Sequence, residues 1–317
     1  MKQTTFASLA YAGKKKRTRR EKFLSEMEAV VPWARLVALI EPHYPKAGPK
    51  GGRPPMSLVV MLRVYCLQQW YALSDPAAEE ALYDSDAMRR FAGLELGDDA
   101  IPDETTILNF RHLLERHELT RAILEAVNAY LRERGILLRE GTLVDATLID
   151  APSSTKNKQG ARDPEMTSTK KGNAWYFGMK AHVGVDLDSG LVHTLKASTA
   201  KVHDSRKFGD LLHGDERAVF GDKGYVSGER EAEFRAQGKV WGVMRKAPKG
   251  GKLHPIDERI NRIIARLRSR VEHPFRVLKC QFGYRKTRYR GLAKNEAQLY
   301  SLFGLGNLFL VRRRLMV

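Results

Sequence analysis

Cysteine is nearly missing: Cys66 and Cys280 are the only two in 317 residues. Two thiols so far apart in sequence make neither a thiolate metal site nor a disulfide framework, so both are expected to be reduced packing residues. Long apolar runs are missing too. No stretch approaches the roughly 18 consecutive apolar residues that a membrane span requires, and the N-terminus has no apolar signal core. The expectation is a cytosolic chain with no membrane partner. Acid is scarce relative to base: 37 Asp and Glu face 55 Lys and Arg, a formal net charge of +18. Hydrophobic residues make up 43% and charged residues 29%, ordinary values for a globular protein. The surplus of one sign therefore sets this chain apart, and its clustering favours a polyanionic partner, nucleic acid before any other.

The chain is long enough for two domains. A basic run, GKKKRTRREK at residues 13 to 22, precedes a helical segment, EKFLSEMEAVVPW. Runs of this kind are usually solvated and often meet phosphates. After the Pro/Gly-rich PHYPKAGPKGGRPP, the spacing of Leu58, Val59, Leu62, Val64, Tyr65, Leu67 and Trp70 predicts a helix from about Met56. Shorter helices follow over Pro76 to Asp84, Ala87 to Ala92, Asp103 to Glu115 and Leu119 to Arg134, with Gly135 as a stop. The helix beginning PDETT can be read as a groove-reading element or, more plainly, as a core helix with an acidic cap. Residues 1–55 are thus expected to be a basic leader with a short helix and linker, and residues 56–135 a helical, DNA-binding domain.

From residue 136 the pattern turns to strands. GTLVDATLIDAP is one, and FGMKAHVGVDLDSGLVHTLKAST reads as two strands joined at Asp188, Ser189 and Gly190. A helix near Asp204 to Leu212, a strand RAVFGDKGY, a helix near Gly228 to Gln237 and a strand VWGVMRK follow, before a final basic helix. Residues 153–174, rich in Ser, Thr, Lys and Gly, are expected to be an exposed loop.

That basic helix lies in the stretch from Arg259 to Arg290, which holds eleven Lys or Arg and a single carboxylate, Glu272. At 100° per residue Arg268, Glu272 and Lys279 fall within about 40° of one another. One face therefore presents base, acid, base. Ile260, Ile263, Ile264, Leu267, Val271, Phe275 and Leu278 share another face and are expected to dock on a core. Pro274 lacks the N–H that would bond the carbonyl of Arg270, so a kink is expected there. The plain alternative is a solvated basic helix with one ion pair worth about 0.3 kcal/mol.

Three carboxylates stand at informative places: Asp145 inside the first strand, Asp222 at the end of the fourth, and Glu272 on the last helix. If the first and fourth strands are parallel neighbours, Asp145 and Asp222 come together, and a helix packed on the sheet can bring Glu272. Carboxylates so close repel one another unless a divalent cation is bound. Oxygen ligands suit hard ions, so Mg²⁺ or Mn²⁺ is implied. Two ions about 3.5 to 4 Å apart can clamp the attacking and leaving oxygens of a phosphodiester. Other groups have plainer readings. Asp186 and Asp188 flank a turn, Asp204 stands at a helix start, Asp150 ends its strand, and His182, His193 and His203 read as packed residues before metal ligands.

TLVDATLIDAP, VFGDKGY and RSRVEHPFRVLKCQFGYRKTRYRGLAKN together resemble the DDE transposases of bacterial insertion sequences, in the insertion-sequence-five group. That family's last block has Tyr, two residues, Arg, three residues, Glu, six residues, Lys. Arg268, Glu272 and Lys279 fit it, and the Tyr position is Ala265. The helical segments from MSLVVMLRVYCLQQWYALSD to PDETTILNFRHLLE are similar to the same group's amino-terminal domain, so the likeness spans roughly residues 50 to 314. The resemblance implies a ribonuclease-H-like catalytic domain over residues 136–317, with a mixed five-stranded sheet flanked by helices. It implies that Asp145, Asp222 and Glu272 hold two Mg²⁺ ions, and that water and then a DNA 3′ hydroxyl attack phosphodiesters with no covalent protein intermediate. The partners it implies are double-stranded DNA, as the element's terminal inverted repeats and as target, and further copies of the chain in a homodimer or larger complex at the nucleoid. Arg268, Lys279, Lys223 and Arg276 are candidate DNA contacts. Trp241 stands where some relatives stack a Trp on a flipped base, although within VWGVM it also reads as a buried strand residue. The interval from Asp222 to Glu272 leaves no room for a large inserted domain. A metal-dependent nuclease that cuts without joining and a DNA-binding protein with an inactive site are the competing readings.

Overall fold

The computed structural model describes residues 16–46, 54–138, 140–158 and 160–316. Residues 13–15 of the basic run lie outside them. Helices come first: α1 Arg19–Val30, α2 Trp33–Ile40, α3 Leu58–Tyr71, α4 Asp75–Asp84, α5 Asp86–Ala92, α6 Glu104–Arg116 and α7 Leu119–Glu133. Their starts follow from local chemistry. Thr18 and Glu21 form a reciprocal capping box on α1, while the side chains of Ser74 and Asp103 accept from the N–H groups of Ala77 and Thr106. The second half of α3, Met61 to Trp70, is buried except at Arg63 and so forms the middle of the helical part.

Six strands follow: β1 Gly141–Asp150, β2 Thr167–Lys171, β3 Ala174–Asp186, β4 Val192–Thr199, β5 Ala218–Gly221 and β6 Val240–Val243. The strand β3 is antiparallel to β1 on one side. On its other side it pairs with β2 along its first half and with β4 along its second. Next to β1 lies β5, parallel to it, and β6 is parallel to β5. A mixed sheet thus follows the helical part, with six strands among the described residues where five were expected. The sixth is β2, inside the segment read as a loop. Its sequence TSTKK has no apolar alternation, and pairing with β3 alone holds it in the sheet. The helix expected near Asp204 to Leu212 is instead two 3₁₀ turns, Asp204–Lys207 and Gly209–Leu211.

Alternation along β1 sends Leu143, Asp145, Thr147 and Ile149 to one face, and Val144, Ala146 and Leu148 to the other. Leu143 and Ile149 join the main core with Met179, Ala181, Val183 and Val185 of β3. Val144 joins a second cluster with Phe208, Val219, Tyr225, Trp241 and Val243.

Beyond β6 come α8 Gly228–Ala236's successors: α9 Pro255–Arg268, a 3₁₀ turn Ser269–Val271, α10 Glu272–Arg276, a π turn Val277–Gln281 and α11 Leu292–Leu315. The break in the helix falls before Pro274 rather than at it. The 3₁₀ turn is centred on Arg270, whose carbonyl loses the α-helical donor that Pro274 cannot supply. Ile264, Val271 and Leu278 are buried, but Ile260 and Ile263 are exposed, so only part of the expected apolar face docks. The long α11 ties the helical part to the sheet. Its buried Leu299, Phe303, Leu305 and Leu308 belong to a core that also holds Leu24, Trp70 and Val127. A Cβ on Gly304 would stand 3.4 Å from the Leu124 Cα, so glycine permits the close approach of α11 to α7. Asn307 fastens the same contact to β4, donating to the Asn128 side chain at 2.9 Å and to the Val192 carbonyl at 2.7 Å.

Candidate active site

The parallel register of β1 and β5 places Thr142 beside Val219 and Leu143 beside Phe220. Two residues further along each strand stand Asp145 and Asp222. The paired register stops at Leu143 and Phe220, both on the main-core face; continuing the alternation two residues past it puts both acids on that face, and the charge of Asp222 is felt at Asp145. Asp222 ends the strand and caps the 3₁₀ turn Lys223–Tyr225, its Oδ1 accepting from the Gly224 N–H at 2.7 Å. Asp145 accepts from the Ala146 N–H at 2.8 Å and, through Oδ2, from Arg268 Nη2 at 2.9 Å. Burial pushes the Asp145 carboxyl above its ordinary pKa. Arg268 and the Ala146 N–H oppose that shift, and the charge of Asp222 adds to it. The two acids therefore feel one another, and Arg268 is the counter-charge that offsets part of the upward shift.

The segment from α9 to the π turn runs along this face of β1. Arg268, at the end of α9, reaches Asp145 and also Met244 Sδ at 3.7 Å. Lys279 donates to Thr147 Oγ1 at 2.6 Å and to the Leu148 carbonyl at 2.7 Å. Its ammonium is lowered from its usual pKa by burial, a shift that Asp150 opposes and Lys171 reinforces. Lys279 thus anchors the helix segment to β1 rather than pointing into open solvent. Glu272 lies between the two basic residues and is exposed. Its side chain makes no hydrogen bond or ion pair with the described residues. Among the described residues no three His, Cys, Asp or Glu side chains stand together as a metal-binding group. The structure brings together Asp145, Asp222 and Arg268, and leaves Glu272 apart from the two aspartates.

Of the remaining candidates, Lys223 and Arg276 are exposed. Trp241 is not available as a stacking surface: it is buried in the second cluster, its ring centroid 5.4 Å from that of Phe208 and 5.3 Å from that of Phe234. Alternation along β6 turns it, with Val243, to the face away from the carboxylates. One residue beside the site escaped the sequence reading. The Tyr225 hydroxyl is buried without a hydrogen-bond partner. Burial raises its pKa, and Asp145, Asp204 and Asp222 raise it further. Its place two residues past the Lys that follows Asp222 was the available signal. Asp204 pairs with Lys180 at 2.9 Å, and the turn it begins is capped by His203 instead.

A family model described as a transposase DDE domain matches residues 137–308, more than half of the chain. A second, described as a transposase domain (DUF772), matches residues 13–113. The chain belongs to the DDE transposase family. Among solved structures, a chain from the crystal structure of the Mos1 strand transfer complex is similar at 14% identity, over 70% of this chain and 78% of that one, with a TM-score of 0.20.

Family membership makes this a DNA-cleaving and DNA-joining enzyme of a class that works with divalent metal ions. The donor chemistry agrees in part. Asp145 and Asp222 are adjacent, mutually repelling oxygen donors of the kind that hard divalent ions bind, while Glu272 stands outside their group. No helix among the described residues is long and apolar enough to cross a membrane.

Proposed function

We propose that this protein is a transposase of the insertion-sequence-five group, which cuts DNA at the ends of its element and transfers the freed 3′ hydroxyl into target DNA. The observation that supports it most is the approach of Asp145 and Asp222 just past the end of the parallel β1–β5 ladder, beside the helix segment whose Arg268 bonds Asp145. Asp145, Asp222 and Glu272 are the residues that would hold the cations, two Mg²⁺ or Mn²⁺ ions. When bound, such ions make an attacking water or 3′ hydroxyl more nucleophilic and offset charge on the scissile phosphate.

The chain's own residues do the rest. Asp145 and Asp222 fix the place of reaction on the sheet, and Arg268 favours the charged form of Asp145 against burial until that charge is taken up. The guanidinium, always protonated and able to bond two oxygens at once, then suits a phosphate beside the scissile bond. Lys223 and Arg276, exposed on either side of the acids, add charge that attracts the DNA backbone. In each step an oxygen nucleophile forms a new P–O bond as the old one breaks, and the departing oxygen takes a proton. No protein atom enters the covalent path. Two element ends call for two or more copies of the chain in the joining complex.

Purified protein incubated with duplex carrying the terminal inverted repeats, a target duplex and Mg²⁺ tests this reading. New 3′ ends followed by joined products are expected. Cut ends that never join would assign the chain to the nucleases, and binding without cutting would make it a DNA-binding protein with a silent site.

A further inference from the structure

Along β3, Val183, Ala181, Met179, Phe177 and Trp175 alternate onto one face. Val183 is the register partner of Asp145, so Trp175 stands on the same face of the sheet as the paired aspartates. The pairing of β1 with β3 ends at Asp150 and Gly178. Past that point only β2 flanks the strand, and nothing packs over Trp175: it is 71% exposed, the most exposed large hydrophobic side chain among the described residues. Its cross-strand partner is Lys170, which is exposed on the same face. Arg162 lies over the Phe177 ring at 5.3 Å, and the charge of Lys171 reaches Lys279. From Met166 to Gly178 the sequence MTSTKKGNAWYFG has no acid at all.

An isolated exposed tryptophan next to lysines does not make an apolar patch of the kind that binds a second protein. It does combine the two groups that hold nucleic acid, a ring for a base or sugar and cations for phosphates. Building on the transposase reading above, we propose that the β2–β3 hairpin is a DNA-contacting arm, in which Trp175 packs on a nucleobase or sugar and Lys170 meets a phosphate. Eight register steps separate Val183 from Trp175, roughly 26 Å at about 3.3 Å per residue. At about 3.4 Å per nucleotide step, the arm touches DNA seven to eight nucleotides from the phosphate at Asp145. It grips the DNA flanking the cut rather than the scissile step.

Of the four tryptophans Trp70 and Trp241 are buried and Trp33 is half-buried, so Trp175 is the one most open to acrylamide, and the difference between wild type and Trp175→Phe isolates it. The test uses the full chain, duplex carrying the terminal repeat with its flank, and acrylamide quenching of tryptophan fluorescence. The quenching that distinguishes wild type from Trp175→Phe should fall severalfold when DNA is added. Trp175→Ala, with an unchanged melting temperature, should bind DNA about tenfold more weakly, and Lys170→Ala should flatten the log affinity against log salt slope by about 0.9. If DNA binds with undiminished affinity while Trp175 stays equally quenchable, the arm is overturned and the transposase reading survives. Failure of every variant and the wild type to bind DNA would sink both. Protection that grows with protein concentration in the absence of DNA would give the hairpin to a second copy of the chain and remove it from DNA.

Discussion

Glu216 and Asp145 both bear on β1, Glu216 at its start beside Thr142 and Asp145 at its middle, and they are held in opposite ways. Glu216 is 1% exposed. It accepts from the backbone N–H groups of His213 at 2.5 Å and Gly214 at 2.9 Å, and from the Thr142 hydroxyl at 3.3 Å. Those donors belong to the chain's own turn and strand and cannot leave without unfolding it. Asp145 keeps a quarter of its side chain exposed and has a single backbone donor, that of its own neighbour. Its remaining partner is a side chain from another element, Arg268, which can rotate away. An acid saturated by backbone serves the fold; an acid restrained by a removable cation, next to a second acid, is free to serve chemistry.

The sharpest break between the two acids is in what their loss should do. Asp145→Asn and Asp222→Asn should each abolish cleavage. A fall of about 10³-fold or more corresponds to the several kcal/mol that metal-assisted charge stabilisation supplies. DNA affinity should stay level or rise, because a negative charge facing phosphate is removed. Gel-based cleavage alongside binding isotherms reads both quantities, and a matching loss of binding would indicate misfolding instead. Glu216→Ala should behave in the reverse sense. It strands the part-buried N–H groups of His213 and Gly214 and the buried Thr142 hydroxyl, so unfolding by urea should show a loss of about 2 kcal/mol, with cleavage per folded molecule unchanged.

A smaller effect tests whether a buried group with few chain donors shows itself in pH. His182 is fully buried on β3, bonded through Nε2 to Ser198 Oγ at 2.7 Å, while its Nδ1 makes no hydrogen bond and stands 3.8 Å from the Asp204 carboxylate. Burial holds its pKa down from 6.5 to about 4, with Asp204 opposing and Lys180 reinforcing the shift. The folded protein therefore refuses a proton that the unfolded chain accepts. His182 contributes stability that is complete above pH 6.5 and is lost as pH falls toward 4, at about 1.4 kcal/mol per unit within that window. His182→Gln should remove that portion of the slope. A variant with the wild-type pH dependence between those limits would show that the ring already carries its proton in the fold.

Much of this arrangement was readable before any coordinates. The reading that brought Asp145 near Asp222 supposed that the strands of TLVDATLIDAP and VFGDKGY are parallel neighbours, and β1 and β5 are parallel neighbours. The burial of Trp241 was equally visible in VWGVM. What escaped had physical reasons. The 24-residue α11 was missed because its apolar residues run all the way round, as suits a helix buried between others, so no amphipathic stripe marks it. TSTKK gave no strand signal because backbone pairing with β3, not side-chain burial, holds β2. The helical wheel put Arg268, Glu272 and Lys279 on one face of a continuous helix, but the segment is broken by a 3₁₀ turn and a π turn, and a wheel cannot say which side chain reaches the sheet. Sheet contacts taken by both basic residues, with the acid left outside, are a tertiary outcome. Ile260 and Ile263 make the same point, sharing spacing with Ile264 while only Ile264 finds a surface to cover it.

The smallest expected effect concerns Lys279, where the two kinds of role compete in one side chain. The family pattern assigns this lysine to DNA, and a phosphate contact contributes about −0.9 to the slope of log affinity against log salt. In the structure its ammonium is already engaged by Thr147 Oγ1 and the Leu148 carbonyl, and half-buried. Two of the three ammonium N–H donors are spent on β1, so at most one is left for a phosphate unless those bonds are given up. Lys279→Ala should therefore cost about 1–2 kcal/mol of stability through the unpaired Leu148 carbonyl, and should move the salt slope by less than the 0.9 of a full contact. Lys279→Arg, longer and able to keep one bond to β1, should recover most of the stability. If Lys279→Ala instead flattens the slope by a full unit and leaves urea unfolding untouched, the lysine leaves β1 when DNA arrives. Lys279 would then belong with Arg268, among the cations that can be released, and not with the donors that fix Glu216.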